Sequence, residues 1–132
     1  MGQETAYDAL LLVAFGGPEG PDQVGPFLER VTAGRGVPPG RLAEVAARYE
    51  RFGGVSPING RMRSLAAAVT DELTARRHDL PVFWGNRNAP PLLADVVASI
   101  RDAGIERALA WVASPYSAYS TCRQYGEDLD AA

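Results

Sequence analysis

The sequence predicts an α/β fold, a parallel sheet whose strands are joined by helical βαβ crossovers. Three observations carry this. Short apolar runs of strand length stand at residues 7–14, 81–85 and 107–113. Between them lie segments with apolar residues at helical spacing, long enough to cross back over a sheet with the usual right hand. Glycine and proline punctuate the junctions, as at Gly16-Gly17-Pro18 and Gly53-Gly54.

Each element has its own reason. Leu10-Leu11-Leu12-Val13-Ala14 is continuously apolar, the pattern of a strand covered on both faces. A first helix opens at Pro21, where a missing N–H costs nothing, and carries Val24, Phe27, Leu28 and Val31 on one side. A second follows Pro38-Pro39, with Leu42, Val45, Ala46, Tyr49 and Phe52 on one face, and Gly53-Gly54 ends it. Residues 53–60 form a loop before a third helix with Met62, Leu65, Ala66, Val69 and Leu73 inward. After the second strand, Asn88 is expected to cap a helix opening at Pro90-Pro91, with Leu92, Leu93, Val96, Val97 and Ile100 inward. Gly104 ends that helix, and the third strand follows. A last helix begins near Cys122.

Bulk properties fit one domain over residues 1–132. Apolar content is 46% and charged content 22%, ordinary for a globular chain. A domain of ~150 residues buries roughly 70% of its unfolded surface, enough for a core. The net charge of −3 leaves no broad basic face for nucleic acid. No apolar run reaches the ~18–20 residues of a transmembrane segment. The N-terminus lacks the basic stretch of a secretory signal, and Ala6 stands where myristoylation requires Ser or Thr. One cysteine cannot build an internal disulfide framework, so a reduced, cytoplasmic setting is expected. The Gly- and Pro-rich segment 33–39 is too short to separate two domains.

Ligands of open parallel sheets bind beyond the carboxyl ends of the strands. The loops leaving those ends hold Phe15-Gly16-Gly17-Pro18-Glu19, then Asn86 and Arg87, then Tyr116 and Tyr119. Ser56 reaches toward the same rim. A phosphate cradle is disfavoured: neither GxGxxG nor GxxxxGK[ST] is present, Pro18 removes a donor, and Glu19 repels an anion. An aromatic followed by two glycines suits close approach of backbone to a flat apolar ligand. His78, the sole histidine, falls at the amino end of the second strand, away from the rim, and reads as a solvated connector. No metal-ligand spacing is found.

Several segments together resemble the ferrochelatase family. They are Leu12-Val13-Ala14-Phe15-Gly16-Gly17-Pro18-Glu19, Arg48-Tyr49-Glu50-Arg51-Phe52-Gly53-Gly54-Val55-Ser56-Pro57-Ile58-Asn59, Gly85-Asn86-Arg87-Asn88 and Ser114-Pro115-Tyr116-Ser117-Ala118-Tyr119-Ser120. Their details resemble the Gram-positive, actinobacterial branch, which works on coproporphyrin III in heme biosynthesis. The resemblance implies a chelatase-like, flavodoxin-like half of a two-domain enzyme that inserts ferrous iron into a porphyrin without a nucleotide cofactor. It also implies that the second, C-terminal domain, which carries the iron-binding His and Glu, is not in this chain. The fragment alone is then expected to be inactive, because losing two pyrrole protons requires a base.

The resemblance also assigns porphyrin-binding positions. Phe15 fills a slot where some relatives carry an iron-ligating Tyr; lacking an oxygen, it can only pack, on the macrocycle or in the core. Thr32 falls where relatives place an Arg, and Arg35 is the nearby cation that could replace it. Arg48 and Tyr49 match a ligand-binding pair, the alternative being a surface Arg beside a helix-packing Tyr. Ser56 matches a porphyrin contact, or serves its turn. Tyr125 matches another contact whose hydroxyl could meet a propionate, or it packs against the sheet. In some relatives one body Cys joins three near the C-terminus on a [2Fe–2S] cluster; Cys122 could do so only in a full-length protein and is otherwise a free thiol. Two rival functions stay open, a cobalt or nickel chelatase of similar fold and a non-catalytic tetrapyrrole-binding module.

Overall fold

A computed structural model describes residues 7–115 and 123–132. Strand β1 (Ala9–Ala14) lies at the centre of a three-stranded sheet of order β2-β1-β3. It pairs in parallel with β2 (Val82–Asn86), from Leu10 opposite Val82 to Ala14 opposite Asn86. It also pairs in parallel with β3 (Ala108–Val112), from Ala9 opposite Ala108 to Val13 opposite Val112. Both crossovers are helical, and the order matches the start of a flavodoxin-like sheet.

The unbroken apolar run of β1 is explained by cover on both faces. Leu11 and Val13 pack with Leu93 and Ile100 of α4 (Leu93–Asp102) and Tyr125 of α5 (Gln124–Ala131). Leu12 and Ala14 point the other way, onto Met62 of α3 (Ile58–Ala75). Between β1 and α3 the chain inserts α1 (Pro21–Thr32) and α2 (Pro39–Glu50). These pack on each other around Val24, Phe27 and Leu28, with Leu42, Val45, Ala46 and Tyr49 closing the cluster. Gly54 seats the start of α1: at φ +70° its missing Cβ would lie 2.6 Å from the Cα of Pro21.

The helices and strands follow the expected order, with one clear difference. Asn88 caps no helix. Its backbone N–H and its side-chain amide both donate to the carbonyl of Phe15, at 3.1 and 3.4 Å. The N–H of Asn86 donates to the carbonyl of Pro91 at 2.7 Å, and Asn86 bridges to Leu92 in parallel fashion. That pairing holds the segment extended through Leu92, so α4 starts at Leu93. No helix among the described residues is long and apolar enough to cross a membrane.

Candidate functional site

The rim at the carboxyl end of the sheet is built from the β1 exit, the β2 exit, the α1–α2 pair and the first turn of α5. At the β1 exit Phe15 is 38% exposed and Glu19 is exposed as well, while Pro18 is fully buried. The two glycines are also buried, which overturns the expectation that they lie against a flat ligand. A Cβ on Gly16 would sit 2.8 Å from the Cβ of Asn86, and one on Gly17 would sit 2.6 Å from the Cβ of Ser56. The close approach that requires glycine is therefore between this loop and its own neighbours.

Phe15 is the junction of two groups of residues. On one side its ring meets Phe27 edge-on at 6.1 Å, and Phe27 meets Tyr49 edge-on at 5.8 Å. Beyond Tyr49 lies a hollow of about 390 Å³ lined by Arg48, Tyr49, Phe52, Val55, Ser56 and Pro57. Arg48 is exposed there, and Phe52 is 79% exposed. On the other side the Arg87 guanidinium lies 6.0 Å from the Phe15 centroid and 5.0 Å from that of Tyr125. Cation and ring faces attract at this range. Arg87 is further held by an ion pair to Asp128 of α5.

The sequence-predicted positions therefore fall into two clusters joined by an aromatic bridge. Arg48, Tyr49 and Ser56 share one hollow. Phe15 and Tyr125 share the Arg87 cation. Thr32 stands apart: its hydroxyl donates to the carbonyl of Leu28 at 2.7 Å, a bond within α1. Its neighbours Val31 and Ala33 line a second cavity of about 550 Å³, together with Arg30, Arg35 and Arg87. Arg35, offered in place of Thr32, does face that cavity.

Two positions carry structural duties as well. The Ser56 hydroxyl accepts from the N–H of Ile58 at 3.4 Å, and its own N–H donates to the carbonyl of Pro18 at 2.8 Å. Ser56 thus holds its turn while lining the hollow. Tyr125 is buried in the core cluster against Leu11 and Val13. Desolvation raises the pKa of its phenol, partly opposed by Arg87, so the hydroxyl keeps its proton at neutral pH and can donate.

His78 is exposed at the far end of the sheet, beside Thr74, Arg77 and Asp79. Asn86 is fully buried and does not line the rim as topology suggests. Tyr116, Tyr119 and Cys122 lie outside the described residues. Among those described, no group of three or more His, Cys, Asp or Glu side chains could hold a metal ion. Sequence reasoning misses Phe27, the bridging ring, and Asp128, the anchor of Arg87. A Phe at helical spacing signals core, and an Asp in a terminal helix signals nothing by itself.

A flavodoxin-like sheet with an aromatic and cationic shelf at its carboxyl rim places the chain in the flavodoxin-like α/β class. The Ferrochelatase family model matches residues 7–132. The chain belongs to the ferrochelatase family. It is 55% identical over 123 residues to the coproporphyrin III ferrochelatase of Mycobacteroides abscessus, covering 93% of this chain and 36% of that protein. It is 58% identical over 127 residues to the enzyme of that name from Frankia alni, covering 96% of this chain and 32% of the relative. For that of Leifsonia xyli subsp. xyli the identity is 54% over 127 residues, covering 96% and 33%. The chain thus spans about a third of the length of the curated relatives it matches.

Proposed function

We propose that this chain supplies one wall of a porphyrin cleft in an enzyme that inserts ferrous iron into coproporphyrin III during heme biosynthesis in the cytoplasm. The observation that carries this reading is the shelf around Phe15, one outward ring flanked by hydroxyl and guanidinium groups on both sides. A porphyrin is a flat apolar disc with carboxylate arms, and the shelf is complementary in kind. Ring packing falls to Phe15, which cannot ligate iron. Propionates are received by Arg48 and Ser56 on one side, while on the other the buried Tyr125 backs the Arg87 guanidinium. Arginine suits such carboxylates because its planar fork can bind bidentately.

Iron and porphyrin are both substrates. Insertion releases two pyrrole protons, which need a base beside the macrocycle. His78 is at the wrong end of the sheet. Two carboxylates near the shelf are engaged by arginines: Glu19 is bonded to Arg63 and Asp128 to Arg87. The chemical step is therefore assigned to a second domain of the complete enzyme. This wall's part is to hold and orient the ring. Cys122, the one cysteine of this sequence, could join a [2Fe–2S] cluster only in a full-length protein.

The test is a metallation assay with coproporphyrin III and ferrous iron, comparing this chain with a version extended by the second domain of a relative such as the Frankia alni protein. The extended version is expected to turn over and the chain alone to be inactive. Sustained turnover by the chain alone would contradict the division of labour.

A further inference from the structure

A closed polar network lies beneath the shelf. Its centre is Asn59, in the first turn of α3, with no exposed surface. The Asn59 Oδ1 accepts from the N–H of Gly17 at 3.3 Å and from the side-chain amide of Asn86 at 3.0 Å. Its own amide donates to Glu19 Oε2 at 3.1 Å and to the carbonyl of Pro90 at 3.2 Å. A carboxamide has two donors and two acceptor sites, and here all are used. Asn86, equally buried, accepts from the indole N–H of Trp84 at 2.9 Å. Arg63 closes the circuit: it donates twice to Glu19, at 2.5 and 2.6 Å, and lies 5.5 Å over the Trp84 ring.

Two buried amides are a poor way to fill space. An apolar residue of similar size would fill it without desolvating four polar sites. What the amides add is geometry. Only a side chain of this length can accept from the β1 exit and the β2 exit while donating to both again. Asp lacks the donors, Leu lacks everything, and Gln is one methylene too long.

We propose that Asn59 is a positioning residue for the macrocycle shelf, fixing the height of the Phe15 ring relative to Ser56. This rests on the porphyrin-wall reading above. Gly17 is the link. Its N–H is held by Asn59, its Cα stands against Ser56, and Phe15 is two residues upstream. The next residue, Pro18, accepts the Ser56 N–H. A shift of Gly17 therefore moves the ring wall and the hydroxyl contact relative to each other. Asn59 itself touches no ligand.

The test titrates coproporphyrin III into the wild-type chain and into Asn59→Leu, Asn59→Asp and Trp84→Phe, following the Soret band. Asn59→Leu is expected to bind about ten-fold more weakly, with the Soret maximum of the saturated complex displaced. Trp84→Phe, which removes one outer donor, should show a smaller change of the same sign. Asn59→Asp adds a pH signature. Glu19 and Arg63 are the ionisable groups bonded within the network. When protonated, the introduced carboxyl can donate to Glu19; when ionised, it faces a like charge. The affinity of this variant relative to wild type should fall as pH rises, while that of Asn59→Leu stays flat. General destabilisation would lower melting temperature and leave the Soret maximum in place.

Amide exchange at Gly17 is read in parallel by NMR. Protection of that N–H is expected in wild type and lost in Asn59→Leu. Unchanged Gly17 exchange, or unchanged affinity and Soret maximum in folded variants, overturns the positioning role. Absence of porphyrin binding by the wild-type chain, with Gly17 protected as expected, instead rejects the porphyrin wall, and with it a role for Asn59 in orienting a macrocycle.

Discussion

The two flanks of β1 are built very differently. On the β2 side, α3 and α4 cover the strands, Asn86 is fully buried, and the Asn59 network ties the exits together. On the β3 side the strand is exposed from Ala108 to Trp111, and Leu109 and Trp111 keep nearly half their surface. An apolar groove of about 300 Å³ runs there between α3 and the sheet, lined by Leu10, Leu12, Leu65, Val69, Leu109, Ala110 and Trp111. The contrast teaches where this domain keeps its rigidity. The candidate shelf stands over the flank with dense packing and directed hydrogen bonds, so its geometry is set within the chain. The other flank contributes exposed apolar surface among the described residues, which favours association.

The sharpest way to break this contrast is to truncate the same side chain on each flank. Leu93→Ala removes a buried residue of α4, which covers β2, and should cost ~2–5 kcal/mol in chemical denaturation. Leu109→Ala, nearly half exposed, should stay within ~0.5–1 kcal/mol. Equal losses would show that the β3 flank is packed as tightly as the β2 flank.

Next in size is Gly17→Ala. Its methyl would lie 2.6 Å from the Cβ of Ser56 and 2.8 Å from Ile58, so the loop must move. A loss of ~1–3 kcal/mol is expected, and porphyrin affinity should fall with it. Gly25→Ala, with open space around the added methyl, serves as the control and should be neutral or stabilising.

Much of the β2 flank is legible in residue order. Leu10 through Ala14 announce a doubly covered strand, and Arg87 falls on the rim because it follows a strand end. What residue order does not carry is pairwise. The glycines after Phe15 advertise a close approach but not to what; the neighbours are Asn86 and Ser56, distant in sequence. Asn88 resembles a helix cap, since asparagine before a Pro-Pro pair suits that role, yet its amide is taken by the Phe15 carbonyl. Asn59, flanked by Ile58 and Gly60, reads as a turn residue, and nothing local shows that four partners converge on it. Arg48 and Ser56 are legible as shelf residues only through likeness to a family. Their chemistry alone fits many surfaces.

A smaller effect concerns pH. The hydrogen bond from Arg63, then that from the Asn59 amide, hold the Glu19 carboxyl below its ordinary value of 4.5. A group with depressed folded pKa stabilises the fold above its unfolded value, and that contribution is lost as pH falls through the folded value. Stability should therefore drop on acidification below about pH 4.5, and Glu19→Gln should flatten that part of the profile in thermal melts. An identical acid limb in the variant would remove Glu19 from the network. Smallest of all, Trp111→Thr should leave the melting temperature almost unchanged while reducing self-association in sedimentation velocity. A large drop in melting temperature would mean that β3 is integral to the core.

The porphyrin wall proposed for this chain is built around Phe15. Titration of coproporphyrin III into the wild-type chain and into Phe15→Ala tests it most directly. A saturable Soret shift in wild type, weakened in Phe15→Ala without change in fold, is the expected result. No saturable shift in wild type, or equal binding by the two, would contradict it.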